Sequence, residues 1–181
     1  MELLEFRDAD AWEAWLATHH ADASEAWLRI AKRGAGIETL AIGDALDVAL
    51  CWGWIDGQRR RHDEGSFAQR YCPRRPRSSW SQVNVAKVEA LIAAGRMRPP
   101  GLAQVAAAQA DGRWAAAYAS QRTAEVPPDL AAALAASPRA AAAFESLGRS
   151  ERYQVILALL KTRTEEGRTR ALARSVERLE E

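Results

Sequence analysis

The segment from Trp54 to Arg74 constrains the fold most strongly, because it has the pattern of a β-hairpin. Residues 54–60 and 67–74 alternate in character, and a turn of sequence His-Asp-Glu-Gly separates them at 62–65. Alternate side chains of a strand point to opposite faces of a sheet. One face of the first arm is therefore expected to carry Trp54, Asp56, Gln58 and Arg60.

Helical patterns stand on both sides of this hairpin. Residues 42–52 place apolar side chains at i, i+3, i+4 and i+7, and Gly53 can end that helix in the left-handed conformation. Asp8 is expected to cap a helix at 9–19, and the spacing of the apolar residues at 82–94 predicts another helix. Two further strands are predicted at 3–6 and 25–32.

The composition changes after Gly101, where alanine occupies 19 of the 45 positions from Leu102 to Ser146. Alanine is the best helix former, so this part is predicted to be helical. The expected helices span 102–110, 114–120, 128–136, 138–147, 151–161 and 165–180. The fold class is therefore α+β, with a small antiparallel sheet packed by helices and an all-helical C-terminal module. We expect an α+β domain at 1–122 and a helical module at 127–181, or one compact unit.

Charge is concentrated in the hairpin region. Seven arginines between Arg59 and Arg77 oppose only Asp63 and Glu64, so this segment carries a formal charge of +5 in a chain of +1. Guanidinium groups bind phosphate and carboxylate and also stack on aromatic rings. We predict a binding site for an anionic small molecule or an acidic partner protein here. Its expected residues are Trp54, Asp56, Arg70, Tyr71, Arg74, Arg75 and Trp80.

Three other interpretations of this region stay open. The hairpin could be a solvated surface whose arginines pair with carboxylates while the aromatic rings enter the core. Asp56 could act as an acid or base in an enzyme of unknown reaction, with arginines as electrostatic clamps, or it could accept hydrogen bonds in a turn. The third interpretation is that the protein binds nucleic acid weakly, although a pI near 7.8 argues against a protein that coats polyanions in general.

The sequence gives little support for metal, cofactor or covalent chemistry. Asp44, Asp47 and Cys51 share one predicted helix face, but the chain lacks the paired cysteines and histidines of metal sites. No histidine is positioned by the sequence to activate Cys51 or Cys72, and no phosphate-binding or dinucleotide motif is present. We therefore expect no catalytic residue, no metal and no cofactor.

The two cysteines do not form a disulfide framework, and they are interpreted as reduced thiols of a cytoplasmic protein. The first ten residues are acidic and lack an apolar run, so no signal peptide is expected. No uncharged stretch is long enough for a membrane span.

Two segments of the chain resemble the YdeI/OmpD-associated (OmdA) family, which is named for bacteriocin protection. They are Ala-Leu-Cys-Trp-Gly-Trp-Ile-Asp-Gly at 49–57 and Gln-Arg-Tyr-Cys-Pro-Arg-Arg-Pro-Arg-Ser-Ser-Trp-Ser-Gln-Val-Asn at 69–84. The resemblance continues through Gly-Arg-Met at 95–97, Pro-Gly-Leu at 100–102 and Asp-Gly-Arg-Trp at 111–114. Residues 127–179 resemble the helical module of the family.

The resemblance implies a protein that protects against bacteriocins or cationic antimicrobial peptides, with no catalytic residue set to transfer. Cys72 stands where the family pattern has Thr or Ser, which weakens any catalytic role for that thiol. A +5 segment repels cationic peptides, so direct capture by the hairpin is not expected. We expect a non-enzymatic, indirect mechanism that involves an anionic ligand or an acidic partner.

Overall fold

The computed structural model describes residues 2–181, and it confirms the predicted α+β class. The described chain divides into two compact units, each treated separately below. Of the described residues, the first unit comprises 2–78 and 84–115, and the second comprises 79–83 and 116–181. The elements, in chain order, are β1 (Leu3–Leu4), α1 (Ala9–His19), β2 (Ala26–Ala31), α2 (Ile42–Cys51), β3 (Trp54–Arg61), β4 (Ser66–Pro73), α3 (Gln82–Ala93), α4 (Pro99–Ala110), α5 (Pro128–Ala136), α6 (Pro138–Ser146), α7 (Arg149–Leu160) and α8 (Glu165–Glu180).

The first unit is built on a four-stranded sheet with the order β1-β2-β4-β3. Strands β2, β4 and β3 are antiparallel, and the short β1 runs parallel to β2. The predicted hairpin is confirmed as β3 and β4. Helix α1 begins at the predicted cap, because the Asp8 carboxylate accepts from the Ala11 N–H at 3.0 Å.

Helices α1 and α2 pack on one face of this sheet and form its core. Trp12 and Leu16 of α1 and Val48 of α2 are fully enclosed together with Leu28 and Tyr71 of the sheet. The indole N–H of Trp12 donates to the Ala45 carbonyl at 3.2 Å, so the bulky ring is buried with its polar atom satisfied. This core fixes the hairpin against α1 and α2.

Helix α4 crosses the C-terminal end of α2 at very short range. A Cβ atom on Gly101 would lie 2.2 Å from the carbonyl oxygen of Cys51, closer than real contacts allow. The same carbonyl accepts from the Arg98 N–H at 3.1 Å. Only a glycine at position 101 permits this approach, which holds α4 against the C-terminal end of α2.

The second unit contains α5 to α8 around its own apolar core. Leu130, Phe144, Ile156 and Leu159 are among its buried side chains. Ser137 and Thr164 cap α6 and α8 through their hydroxyl groups, and proline begins both α5 and α6. The predicted all-helical C-terminal part is therefore confirmed.

The helix predicted at 114–120 is wrong. Residues 111–116 form turns, and Tyr118 lies in an isolated β-bridge with Ser81 instead of a helix. Gly112 adopts the left-handed conformation with φ of 77°, and the Trp114 N–H donates back to the Ala108 carbonyl at 3.0 Å. The chain reverses there after α4, so the local alanine content does not decide its conformation.

No helix within residues 2–181 is both long enough and apolar enough to cross a membrane.

Candidate functional site

A β-bulge in β3 decides which hairpin side chains share a face. Asp56 pairs with Tyr71, but the next aligned pair is Arg59 with Gln69, so one extra residue lies between Asp56 and Arg59. From Arg59 onward the alternation is therefore inverted. The prediction that Arg60 shares a face with Asp56 is wrong, because Arg59 takes that position.

Arg59 is held against the core face of β4. Its guanidinium carbon lies 4.3 Å from the centre of the Phe67 ring, and its Nε donates to the Gln69 side-chain oxygen at 3.1 Å. Gln69 is itself buried and donates to the Gly57 carbonyl at 3.1 Å, which closes the bulge. The bulge thus gives Arg59 a fixed position beside Asp56.

The opposite face of the sheet carries arginines whose charges are balanced. The Arg70 Nε donates to the Glu25 carboxylate at 2.6 Å, and Arg29 forms ion pairs with Glu5 and Asp63 at 3.0 Å. A separate contact places the Arg60 guanidinium 4.8 Å from the centre of the Trp27 ring. For this face, the structure agrees with the solvated-surface interpretation.

Trp54 and Tyr71 belong to the hydrophobic core. Each is at most 1% exposed, and the Trp54 indole donates to the His20 carbonyl at 3.3 Å. The Tyr71 hydroxyl has no hydrogen-bond partner among residues 2–181. Burial, followed by the nearby Asp56 charge, raises the pKa of Tyr71 well above its usual range. Neither ring is a surface on which an external ligand can stack.

Asp56 lies where the hairpin meets the core. The residue is solvent-accessible, yet the protein atoms packed around its carboxyl raise the pKa of Asp56 by desolvation. Arg74 and Arg59 oppose this increase through their positive charges. A carboxyl of this kind can exchange a proton closer to neutral pH than an exposed one. The role of Asp56 as acid or base stays a prediction.

The segment from Arg74 to Ser78, here called the arginine loop, leaves β4 in a tight turn. The Ser78 N–H donates to the Arg75 carbonyl at 3.1 Å across Pro76 and Arg77. Arg77 adopts φ of 66°, and it is the one non-glycine residue from 2 to 181 with a positive φ. Arginine in this left-handed conformation costs roughly 1–2 kcal/mol, so the surrounding contacts must enforce it.

One of these contacts comes from Arg113, a residue that was not expected in the site. The residue is 6% exposed, it pairs with Asp111 at 2.7 Å, and its Nη1 donates to the Ser78 carbonyl at 3.0 Å. The only sequence signal was the Asp-Gly-Arg-Trp segment, in which the spacing allows Arg113 to reach Asp111. Arg113 therefore acts as an internal support of the arginine loop.

The arginine loop presents two cations to solvent. Arg75 and Arg77 are exposed, and neither makes an ion pair with any residue in the described part of the chain. Arg74 is different, since it is 5% exposed and its N–H donates to the Gly53 carbonyl at 3.0 Å. Ser78 contributes a buried hydroxyl that has no partner among residues 2–181.

The seven predicted site residues thus occupy several places. The structure brings together Asp56, Tyr71 and Arg74, and Arg75 follows directly on the loop. Arg70 lies on the opposite face of the sheet in its ion pair with Glu25. Trp80 is buried and belongs to the second unit. The site as a whole stays a prediction.

The cysteines are free thiols. Cys51 is buried at the end of α2, and desolvation raises the pKa of that thiol, which disfavours the reactive thiolate. Cys72 is half-buried, and Arg70 Nη1 lies 3.6 Å from its sulfur. Within residues 2–181, no group of three or more histidine, cysteine and carboxylate side chains is arranged to hold a metal ion.

Two family models match the chain. The model described as a domain of unknown function (DUF8412) matches residues 4–104, which is more than half of the 181 residues. The model described as bacteriocin-protection, YdeI or OmpD-associated (OmdA) matches residues 123–181.

The segments at 49–57 and 69–84 lie within the first match, and the OmdA match itself covers the helical C-terminal part. No curated protein and no solved structure matches the chain. The chain therefore belongs to the DUF8412 family and carries a C-terminal module of the OmdA, bacteriocin-protection type.

Proposed function

We propose that this protein acts in bacteriocin protection as a non-enzymatic module, which binds an anionic group through the arginine loop. The OmdA match supports a function of the bacteriocin-protection type. The ligand is a phosphate or carboxylate group, carried either by a small molecule or by an acidic partner protein. Arg75 and Arg77 would contact it directly.

The exposure of two unpaired arginines on a fixed turn is the observation that carries this proposal. Arg29 and Arg70 elsewhere on the hairpin sheet have their charges balanced by carboxylates at 2.6–3.0 Å. Arg75 and Arg77 have no such partner among residues 2–181. An incoming anion therefore does not have to displace an internal carboxylate before it reaches them.

The rigidity of the loop also supports binding. Pro76 restricts the backbone, the Arg75–Ser78 hydrogen bond closes the turn, and Arg113 holds the Ser78 carbonyl. A loop that is already ordered loses less conformational entropy when it binds. The positive φ of Arg77 fits the same idea, because strained backbone often occurs at binding sites.

The sign of the charge argues for an indirect mechanism of protection. Cationic bacteriocins would be repelled by two exposed guanidinium groups beside the buried Arg74. The proposal includes a cytoplasmic location, which the free thiols of Cys51 and Cys72 support because disulfides form in oxidising compartments.

The proposal is tested with a double variant, Arg75→Gln with Arg77→Gln. Thermal unfolding of this variant and of the wild-type protein is followed in titrations of inorganic phosphate and of a poly-glutamate peptide. A ligand at about 100 times its Kd stabilises the folded state by about 2.7 kcal/mol. We expect one of these anions to raise the melting temperature of the wild-type protein and not that of the variant.

The matched control is Arg33→Gln with Arg96→Gln, which removes the same charge from two exposed positions outside the loop. It should respond to anions like the wild-type protein. Equal loss in both double variants would mean that only net charge matters, and this would overturn the proposal. Unchanged melting temperatures in all three proteins would overturn it as well. Binding to DNA whose affinity falls steeply with salt would instead favour the nucleic-acid alternative.

A further inference from the structure

The second unit contains a cavity whose polar lining is cationic. It measures about 480 Å³ and is lined by Gln121, Arg122, Ala124, Leu147, Arg149, Arg152, Tyr153 and Ile156. Three of these residues are arginines and none is acidic. A smaller hollow of about 280 Å³ is also lined by Gln121, Arg122 and Arg149.

The other large cavity of this unit provides a useful contrast. It measures about 510 Å³, and its lining mixes Arg174 and Arg178 with the carboxylates of Glu177 and Glu181. Opposite charges there can balance one another. The cavity near Arg122 has no such balance in its own lining, which makes it suited to a ligand of negative charge.

The wall of the cationic cavity is held in place by hydrogen bonds. The Gln121 side-chain amide donates to the Ser150 hydroxyl at 3.1 Å, and the Tyr153 hydroxyl donates to the Ala119 carbonyl at 2.9 Å. These contacts tie the segment before α5 to the first turns of α7. The Arg122 and Arg149 side chains therefore extend from backbone segments whose separation is fixed.

Arg152 forms an inner part of the wall. Its Nη2 donates to the Glu145 carbonyl, and its guanidinium lies 5.9 Å from the centre of the Phe144 ring. The Nε atom is buried and has no hydrogen-bond partner among residues 2–181. Because this Nε is inaccessible to solvent, Arg152 can contact a ligand only through its terminal guanidinium nitrogens.

The first turn of α7 lies on the cavity wall, because α7 begins at Arg149. The carboxylate of Glu151 already caps this N-terminus, where it accepts from the Gly148 N–H at 2.9 Å. The positive charge of the site therefore comes from its arginines. Arg122 and Arg149 are exposed and make no ion pair with residues 2–181.

The remaining lining is apolar, since Ala124, Leu147 and Ile156 complete the cavity. A volume near 480 Å³ lies in the range of small-molecule sites. We infer that this cavity binds a small organic anion, with its phosphate or carboxylate group on Arg122, Arg149 and Arg152 and its apolar body on Leu147 and Ile156. This site is separate from the arginine loop and does not depend on the function proposed for it.

The test uses phenyl phosphate as the probe, with inorganic phosphate and phenol as its two halves. Backbone amide NMR shifts of the full chain should change at 121–124 and 147–156 when phenyl phosphate is added. Either half alone should bind at least about tenfold more weakly, which corresponds to about 1.4 kcal/mol. If inorganic phosphate or phenol bound as tightly as phenyl phosphate, the inference would be overturned.

The double variant Arg122→Gln with Arg149→Gln should weaken phenyl phosphate binding at least about tenfold, because each of the two substitutions removes a charge-assisted contact with the phosphate. Arg152 is left unchanged because it also contacts Glu145 and Phe144. The matched control, Arg174→Gln with Arg178→Gln, removes the same charge from the other cavity and should bind like the wild-type chain. The site would be refuted if phenyl phosphate caused no NMR shift changes at residues 121–124 and 147–156. It would also be refuted if the two double variants lost the same amount of phenyl phosphate affinity.

Discussion

Replacing Gly101 by alanine should destabilise the first unit by separating α4 from α2. The added Cβ would stand 2.2 Å from the Cys51 oxygen and 2.9 Å from the Leu50 oxygen, where ordinary contacts are 3.4–4 Å. The helices must therefore move apart by about 1 Å, and overpacking of this kind typically costs about 1–3 kcal/mol. The Arg98 N–H bond to the Cys51 carbonyl would be weakened as well.

The helix propensity of alanine offsets part of this cost, by about 0.5–1 kcal/mol. We therefore expect a net loss of about 1 kcal/mol in the free energy of unfolding. Urea unfolding followed by tryptophan fluorescence is a suitable assay, because six of the seven tryptophans lie in the first unit.

Gly43 provides the matched control, since it is an exposed helical glycine in α2 with no atom within 4 Å of an added Cβ. Gly43→Ala should stabilise the chain by about 0.5 kcal/mol, through helix propensity alone. If Gly101→Ala is as stable as the wild-type protein, then the close crossing of α4 and α2 is not a feature of the folded state.

Three further predictions follow from single residues. Arg77→Gly should be about 1 kcal/mol more stable than Arg77→Ala in urea unfolding, because glycine accepts the left-handed φ of 66°; the reverse order would contradict the turn geometry. Tyr71→Phe should raise the free energy of unfolding by about 1 kcal/mol, since it removes a buried hydroxyl without a partner, and a loss of stability would show that this hydroxyl is satisfied. Arg168 lowers the pKa of Asp129 through hydrogen bonds at 2.6 and 2.8 Å, so the stabilisation from this ion pair is complete above pH 3.8 and is lost as the pH falls below that value. Asp129→Asn should abolish this acid-dependent loss of stability, which is at most about 1 kcal/mol because a third of each side chain is exposed. Acid titrations that coincide for the wild-type protein and the variant would refute the prediction.

The site was only partly predictable because contacts between distant residues decide it. The charge excess at 59–77 was visible in the sequence, but the carboxylates that balance Arg70 and Arg29 are 24–45 residues away in the chain. Local alternation could not reveal the bulge after Asp56, and one inserted residue exchanges the faces of all later side chains. Arg59 and Arg60 therefore lie on the faces opposite to those that strict alternation predicts.

The cationic cavity of the second unit had no sequence signal at all. Arg122 and Arg149 are 27 positions apart, and each resembles an ordinary surface arginine of a helical region. The hydrogen bonds from Gln121 to Ser150 and from Tyr153 to Ala119 bring them to one wall. Such a wall is a property of the tertiary structure, since no periodic pattern encodes it.

The sequence by itself determined the fold class and most of the helices and strands, with the helix expected at 114–120 as an exception. The hairpin, α1 with its Asp8 cap, α2 ending at Gly53 and the proline-initiated helices α5 and α6 all arise from short-range preferences of neighbouring residues. The tertiary structure alone decided which arginines are neutralised and which remain available to an anion. The reason is physical: ion pairing and burial depend on distances in space, whereas helix and strand formation depend on neighbours along the chain.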